Sequence, residues 1–167
     1  MQLASSTEEH FVDIFSAISY REQETLSLIS MAALESVFRT NTFGPLILTQ
    51  ALLSNLTAVP NPRIGNITSR AGSIADNTGG GVYAYRSSKA ALNMIGRSMA
   101  VDLKEKGVFV AMLHPGMVAT SGSGASMGQP QVVEPQEAAE KCWDVLLRTG
   151  IEDTGKFWHR EGYEIPW

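Results

Sequence analysis

Tyr85 and Lys89 stand four residues apart in Tyr85-Arg86-Ser87-Ser88-Lys89-Ala90-Ala91-Leu92, a stretch that runs into a helix. On a helix that spacing stacks two side chains on one face. A protonated amine held beside a phenol favours the phenolate, so a group that titrates near pH ~10 in water exchanges protons closer to neutrality. Alone, Tyr-x-x-x-Lys is a weak signal, because both residues are common on helix surfaces. Its surroundings add weight. Sixteen residues earlier, Ser69 ends a short strand-like run that begins at Arg63 and breaks at the small-residue turn Arg70-Ala71-Gly72-Ser73. In an open parallel α/β sheet the carboxyl ends of the strands are where ligands bind. Twenty-eight residues before Ser69, Asn41 places an amide inside an otherwise apolar helical stretch. Downstream, Val108 to Leu113 reads as a buried strand that ends in His114-Pro115-Gly116-Met117-Val118-Ala119-Thr120.

This ordered set resembles the short-chain dehydrogenase/reductase family. The carriers are Asn41, Ser69, Tyr85 and Lys89, the "NITS" strand end and the "HPGMVAT" turn. Within the family, the chain is most similar to the C-factor and sniffer-type carbonyl reductases, on "FRTNTFGPLILTQALL", "TSRAGSIADNTGGGVYAYRSSKAALNM" and the ending "GKFWHREGYEIPW". The resemblance covers roughly residues 24 to 167 and sets residues 1 to 23 apart as an atypical segment. Family members open with a strand, a Gly-rich turn of the Thr-Gly-x-x-x-Gly-x-Gly type and a helix, and later show an Asn-Asn-Ala-Gly strand end. Neither feature is present here, and residues 1 to 23 contain no glycine. A Gly-rich turn lets backbone amides approach a pyrophosphate without a Cβ in the way. The expected fold is therefore α/β, an incomplete three-layer Rossmann-like parallel sheet equivalent to the carboxyl-terminal half of a doubly wound fold.

The resemblance also implies roles. Tyr85 gives or takes the proton of the carbonyl or hydroxyl group, and Lys89 favours its phenolate while holding the nicotinamide ribose. Ser69 hydrogen-bonds the substrate oxygen where negative charge develops, and Asn41 holds a water that connects Lys89 to solvent. Pro115, Gly116, Val118 and Thr120 would line the nicotinamide, alongside Tyr85 and Lys89. The implied cofactor is NAD or NADP, the substrate a small carbonyl or alcohol, and the assembly a homo-oligomer. Two function classes follow: an NAD(P)-dependent reductase or dehydrogenase, and a non-catalytic interaction protein that keeps the fold's helical dimer face but has lost cofactor affinity.

Other residues admit plainer readings. A serine at a strand end commonly caps a turn. Tyr83 has no lysine four residues on, and His114 reads as a buried histidine satisfied by backbone. Gly122 to Gly128 imitates a phosphate loop but lacks the strand-to-helix context, so it reads as part of a substrate loop. Glu161 and Glu164 read as surface charges. No His/Cys cluster has metal-ligand spacing, and no Gly-x-Ser-x-Gly elbow points to a hydrolase.

The 167 residues are 44% hydrophobic and 18% charged, which is globular composition with length enough for one core. A net charge of −4 without a Lys/Arg block argues against a nucleic-acid partner. No run approaches the ~20 apolar residues of a membrane span, and the start does not have the pattern of a signal peptide. Cys142 is the only cysteine, which excludes an internal disulfide and favours the cytoplasm. Apolar spacing at 139, 142, 143 and 146 places it on the buried face of a helix. Along the chain, helical periodicity appears over residues 8 to 20 and over Ser30 to Leu56, the latter kinked at Gly44-Pro45. Further helices are expected over Ser87 to Leu103 and from Pro135 to Arg148, with strands at 63 to 69, 108 to 113 and 155 to 158. Gly79-Gly80-Gly81 marks a turn, and Thr120 to Gln131 a loop.

Overall fold

The computed structural model describes residues 24–120 and 125–167. The helix expected over residues 8 to 20 lies outside the described residues. Three parallel strands form the sheet, in the order β1 (Arg63–Ile67), β2 (Phe109–His114) and β5 (Phe157–His159). Parallel neighbours need crossovers, and these are helical: α3 (Tyr83–Leu103) joins β1 to β2, and α4 (Pro135–Arg148) precedes β5. Two short strands, β3 (Met117–Val118) and β4 (Val132–Val133), pair with each other beyond the end of β2. Among the described strands β1 has a neighbour on one side only.

The central strand is apolar on both faces, which is how a strand covered by helices reads. Val110 and Met112 point to one core with Ile64, Met99, Leu103 and Phe157, while Ala111 and Leu113 meet Cys142, Val145 and Leu146 of α4 on the other side. Each buried aliphatic side chain contributes about 1.5–3 kcal/mol. The α4 stripe differs from the expectation at two positions. Ala138 and Val145 are buried with Cys142 and Leu146, whereas Ala139 is exposed and Trp143 is 40% exposed. The helix meets the sheet along its i, i+4, i+7 line, and the apolar type of Trp143 is not what decides its burial.

The long helical reading before β1 resolves into three pieces. These are α1 (Met31–Phe38), a π-helical turn (Arg39–Phe43) and α2 (Gly44–Leu56), with Pro45 in the first turn of α2. Proline has no N–H to give the carbonyl four residues back, and the chain answers by widening a turn. The Gly44 N–H reaches back five residues to the Arg39 carbonyl. The expected Pro kink is thus a π-turn, and Asn41 sits in it. The helix expected from Ser87 starts at Tyr83, and the strand expected to end at Ser69 ends at Ile67. The Gly/Ser loop expected through Gln131 leads directly into β4, and the strand expected at 155 to 158 runs from Phe157 to His159.

Candidate active site

The site is assembled at the carboxyl end of β1 and β2 by the first turns of α3. That helix begins without a side-chain cap on its preceding residue, Val82, which adopts φ 51. The cap comes from far away in sequence. Glu24 is buried, its carbonyl accepts from the Val82 N–H at 3.0 Å, and its Oε2 accepts from the Tyr85 N–H at 3.3 Å. A carboxylate at this end of a helix is favoured by the unpaired amides there.

Tyr85 and Lys89 share one face of α3, with the Lys89 Nζ 5.9 Å from the Tyr85 ring centroid. Lys89 is buried, and burial pulls its amine down from the ordinary lysine value to about 8. Its Nζ donates to the Ile67 carbonyl at 2.9 Å, at the end of β1, which leaves two of its three donors for other partners. The Tyr85 hydroxyl has no hydrogen-bond partner among the described residues.

The turn carrying Ser69 packs directly against Lys89. A Cβ on Gly72 would overlap the Lys89 backbone, and the Thr68 Oγ1 reaches the Lys89 carbonyl at 3.5 Å. Ser69 itself caps the 3-10 turn Arg70–Gly72, its Oγ accepting from the Ala71 N–H at 3.1 Å. No hydrogen bond joins it to Tyr85 among the described residues. Asn41 is fully buried in the π-turn and its Nδ2 donates to the Ser88 Oγ at 3.0 Å, while Ser88 donates to the Tyr85 carbonyl at 2.8 Å. Thr42 adds a bond to the Ser88 carbonyl at 2.9 Å. The four expected residues therefore converge on α3, with Ser88 as a link that spacing did not single out.

Pro115 and Gly116 follow β2, Val118 lies in β3, and Thr120 follows it at the surface. Gly116 has φ +76, a conformation suited to glycine. His114 is not satisfied by backbone at Nδ1, which is buried without a partner. Burial pushes its pKa down to about 3, assisted by His159, Arg70 and Arg160, so it stays neutral and serves poorly as an acid. Its ring meets His159 edge-on at 5.3 Å between centroids, and His159 stacks on Tyr163. Glu161 is a half-exposed charge, paired with Lys141 and Arg160. Among the described residues no group of three His, Cys, Asp or Glu is placed to hold a metal ion, and no helix is long and apolar enough to cross a membrane.

The nicotinamide end of a dinucleotide fits this arrangement. Buried Lys89 has unused donors, and Tyr85 has an unengaged hydroxyl. The diphosphate end finds no equivalent at the amino termini of α3 and α4. The amino terminus of α3 is already occupied by the Glu24 carboxylate, and that of α4 is flanked by Glu134 and Glu137, which repel an anion.

A parallel sheet with helices on its faces is a Rossmann-like architecture, and the comparisons give the family. The chain belongs to the short chain dehydrogenase family, which it matches over residues 16–130. It is 40% identical over 140 residues to C-signal of Myxococcus xanthus, covering 83% of this chain and 81% of that protein. It is also 40% identical over 127 residues to 1-hydroxy-2-glutathionyl-2-methyl-3-butene dehydrogenase of Rhodococcus sp. strain AD45, covering 76% of this chain but 55% of the dehydrogenase. Among solved structures, the NADPH-bound carbonyl reductase from chicken fatty liver superposes with TM-score 0.80 at 32% identity, over 90% of this chain and 64% of that one. Carbonyl reductase Sniffer of D. melanogaster gives TM-score 0.80 at 30% identity, over 94% and 65%. The chain thus spans just under two thirds of these structures.

Proposed function

We propose that this chain carries the reacting half of an NAD(P)-dependent carbonyl reductase or alcohol dehydrogenase. The observation that carries the reading is the Tyr85–Lys89 face of α3, with an unengaged phenol beside a buried amine. The cofactor, when bound, supplies or accepts hydride. Tyr85 transfers the proton to or from the substrate oxygen. Lys89, held by the Ile67 carbonyl, keeps an ammonium beside that phenol and offers its remaining donors to a ribose. Ser69 turns its hydroxyl from the Ala71 amide to the substrate oxygen, where negative charge develops. Asn41 fixes Ser88, and through it the first turns of α3, and holds water near Lys89. Pro115, Gly116, Val118 and Thr120 line the nicotinamide. The substrates are small carbonyls or alcohols, and a homo-oligomer is the assembly that fits.

The test is turnover of a reactive carbonyl at millimolar NADPH or NADH by the parent and by Tyr85→Phe. Loss of the proton donor should lower the rate at least about a hundredfold. Near-parental turnover in Tyr85→Phe would refute the role of Tyr85 and turn attention to Tyr83. The second reading, a binding protein that keeps the fold without turnover, is favoured by one observation. The relative whose length this chain spans to 81% bears the name of a signal, not of an enzyme. Absence of turnover in the parent, at any cofactor concentration, would support that reading.

A further inference from the structure

Arg160 follows β5 directly. Because β5 pairs with β2 in register at His114 and His159, the Arg160 N–H donates to the His114 carbonyl at 2.9 Å, and the side chain emerges beside the end of β2. It is only 6% exposed. A buried guanidinium needs its N–H groups answered. Backbone carbonyls answer most of them: Nη1 donates to Pro115 at 2.6 Å and more weakly to Met117 at 3.5 Å, and Nη2 donates to Gln131 at 3.2 Å. Nε donates to the Glu161 Oε1 at 3.1 Å, and Lys141 of α4 holds the same carboxylate at 2.9 Å. One side chain thus ties the turn after β2 to the approach of β4 and to α4.

Gly116 completes the fit. A Cβ there would overlap the Arg160 guanidinium and displace it from its carbonyls, and φ +76 itself favours glycine. Lysine would reproduce the arrangement poorly, since its compact ammonium does not match the planar fork that Nη1 and Nη2 present to carbonyls on two separate segments.

We propose that Arg160 is a positioning residue for the nicotinamide subsite: its guanidinium holds the Pro115–Val118 turn in the shape that receives the nicotinamide ring. This rests on the reading that the turn lines that ring. With its carbonyls committed to Arg160, the turn is ordered before any ligand arrives, and no ordering cost falls on binding. Arg160 touches neither substrate nor cofactor and acts through the turn alone.

The experiment uses the full 167-residue chain, with Arg160→Met and Arg160→Lys as variants and reduced nicotinamide mononucleotide as the probe. Nicotinamide fluorescence gives affinity, and amide hydrogen exchange gives the local order of residues 116–119. Arg160→Met should weaken the probe at least about tenfold and speed exchange in the turn by a similar factor, with exchange in α3 unchanged, on the strength of several lost charge-assisted bonds. Arg160→Lys, which keeps the charge but replaces the planar fork with one nitrogen, should fold like the parent and fall between the two. In turnover the cofactor KM should rise while kcat changes less than about threefold. Parental exchange in the turn of both variants, or faster exchange with unchanged affinity, would overturn the proposal while leaving the reading of the site intact. A parent chain that binds no reduced nicotinamide mononucleotide would overturn both.

Discussion

Lys89 takes a positive charge into the interior, and the consequence is measurable without a ligand. Its folded-state pKa is lowered to about 8 from an ordinary 10.5. Below about pH 8 the amine is charged in both folded and unfolded chains, and the folded one bears the cost of burial. Between about pH 8 and 10.5 the folded amine releases its proton while the unfolded one keeps it, so stability rises with pH across that window, by on the order of 3 kcal/mol at most. Denaturant midpoints across the window should rise for the parent and stay flatter for Lys89→Met. Equal slopes would show that the amine is not buried as described. At this scale the sequence was legible where chemistry depends on near neighbours, as with Tyr85 and Lys89 on one helical face. It was silent where a partner is distant: nothing in "QETL" marks Glu24 as the cap of a helix starting at Tyr83, and nothing in "FWHREG" marks Arg160 as the brace of a turn 45 residues earlier.

The elements that place these side chains meet at close range where glycine allows it. Gly72 brings the turn carrying Ser69 onto the Lys89 backbone, and backbone cannot yield as a flexible side chain can. Gly72→Ala should therefore cost about 1–3 kcal/mol in chemical unfolding and lower turnover by more than the loss of folded protein accounts for. Parental stability and turnover together would mean that the turn and helix are not in register as described. Helix α4 was legible to the residue at both ends, with Pro135 opening it and Arg148 closing it. The widened turn at Arg39–Phe43 was legible only as an irregularity near Pro45, because the missing donor identifies where the helix is disturbed and not whether it kinks or widens. Strands β3 and β4, two residues each, carry no period long enough to read.

Across the whole molecule, a parallel sheet with helices on its faces follows from the alternation of apolar strands with helices and was visible in sequence, while the strand order and the division into two cores come from the structure. The outer faces of α2 and α3 present Ile47, Met94 and Val101, each more than half exposed. Together with the family, they support self-association through these helices. Light scattering at micromolar concentration should give a dimer or larger, and a clean monomer would count against it. Cofactor affinity is the other molecular property at stake, because the reacting end is present while neither α3 nor α4 offers its amino terminus to a diphosphate. Several charge-assisted phosphate contacts, each worth roughly 1.5–3 kcal/mol, separate a micromolar dinucleotide site from a millimolar one, a gap of about 4 kcal/mol. The most direct measurement is calorimetry of the 167-residue chain with NADPH, NADH and reduced nicotinamide mononucleotide. Millimolar dissociation constants are expected for all three, agreeing within about tenfold. Micromolar binding of either dinucleotide, with the mononucleotide about a hundredfold or more weaker, would contradict it by revealing a diphosphate cradle in the chain or its assembly.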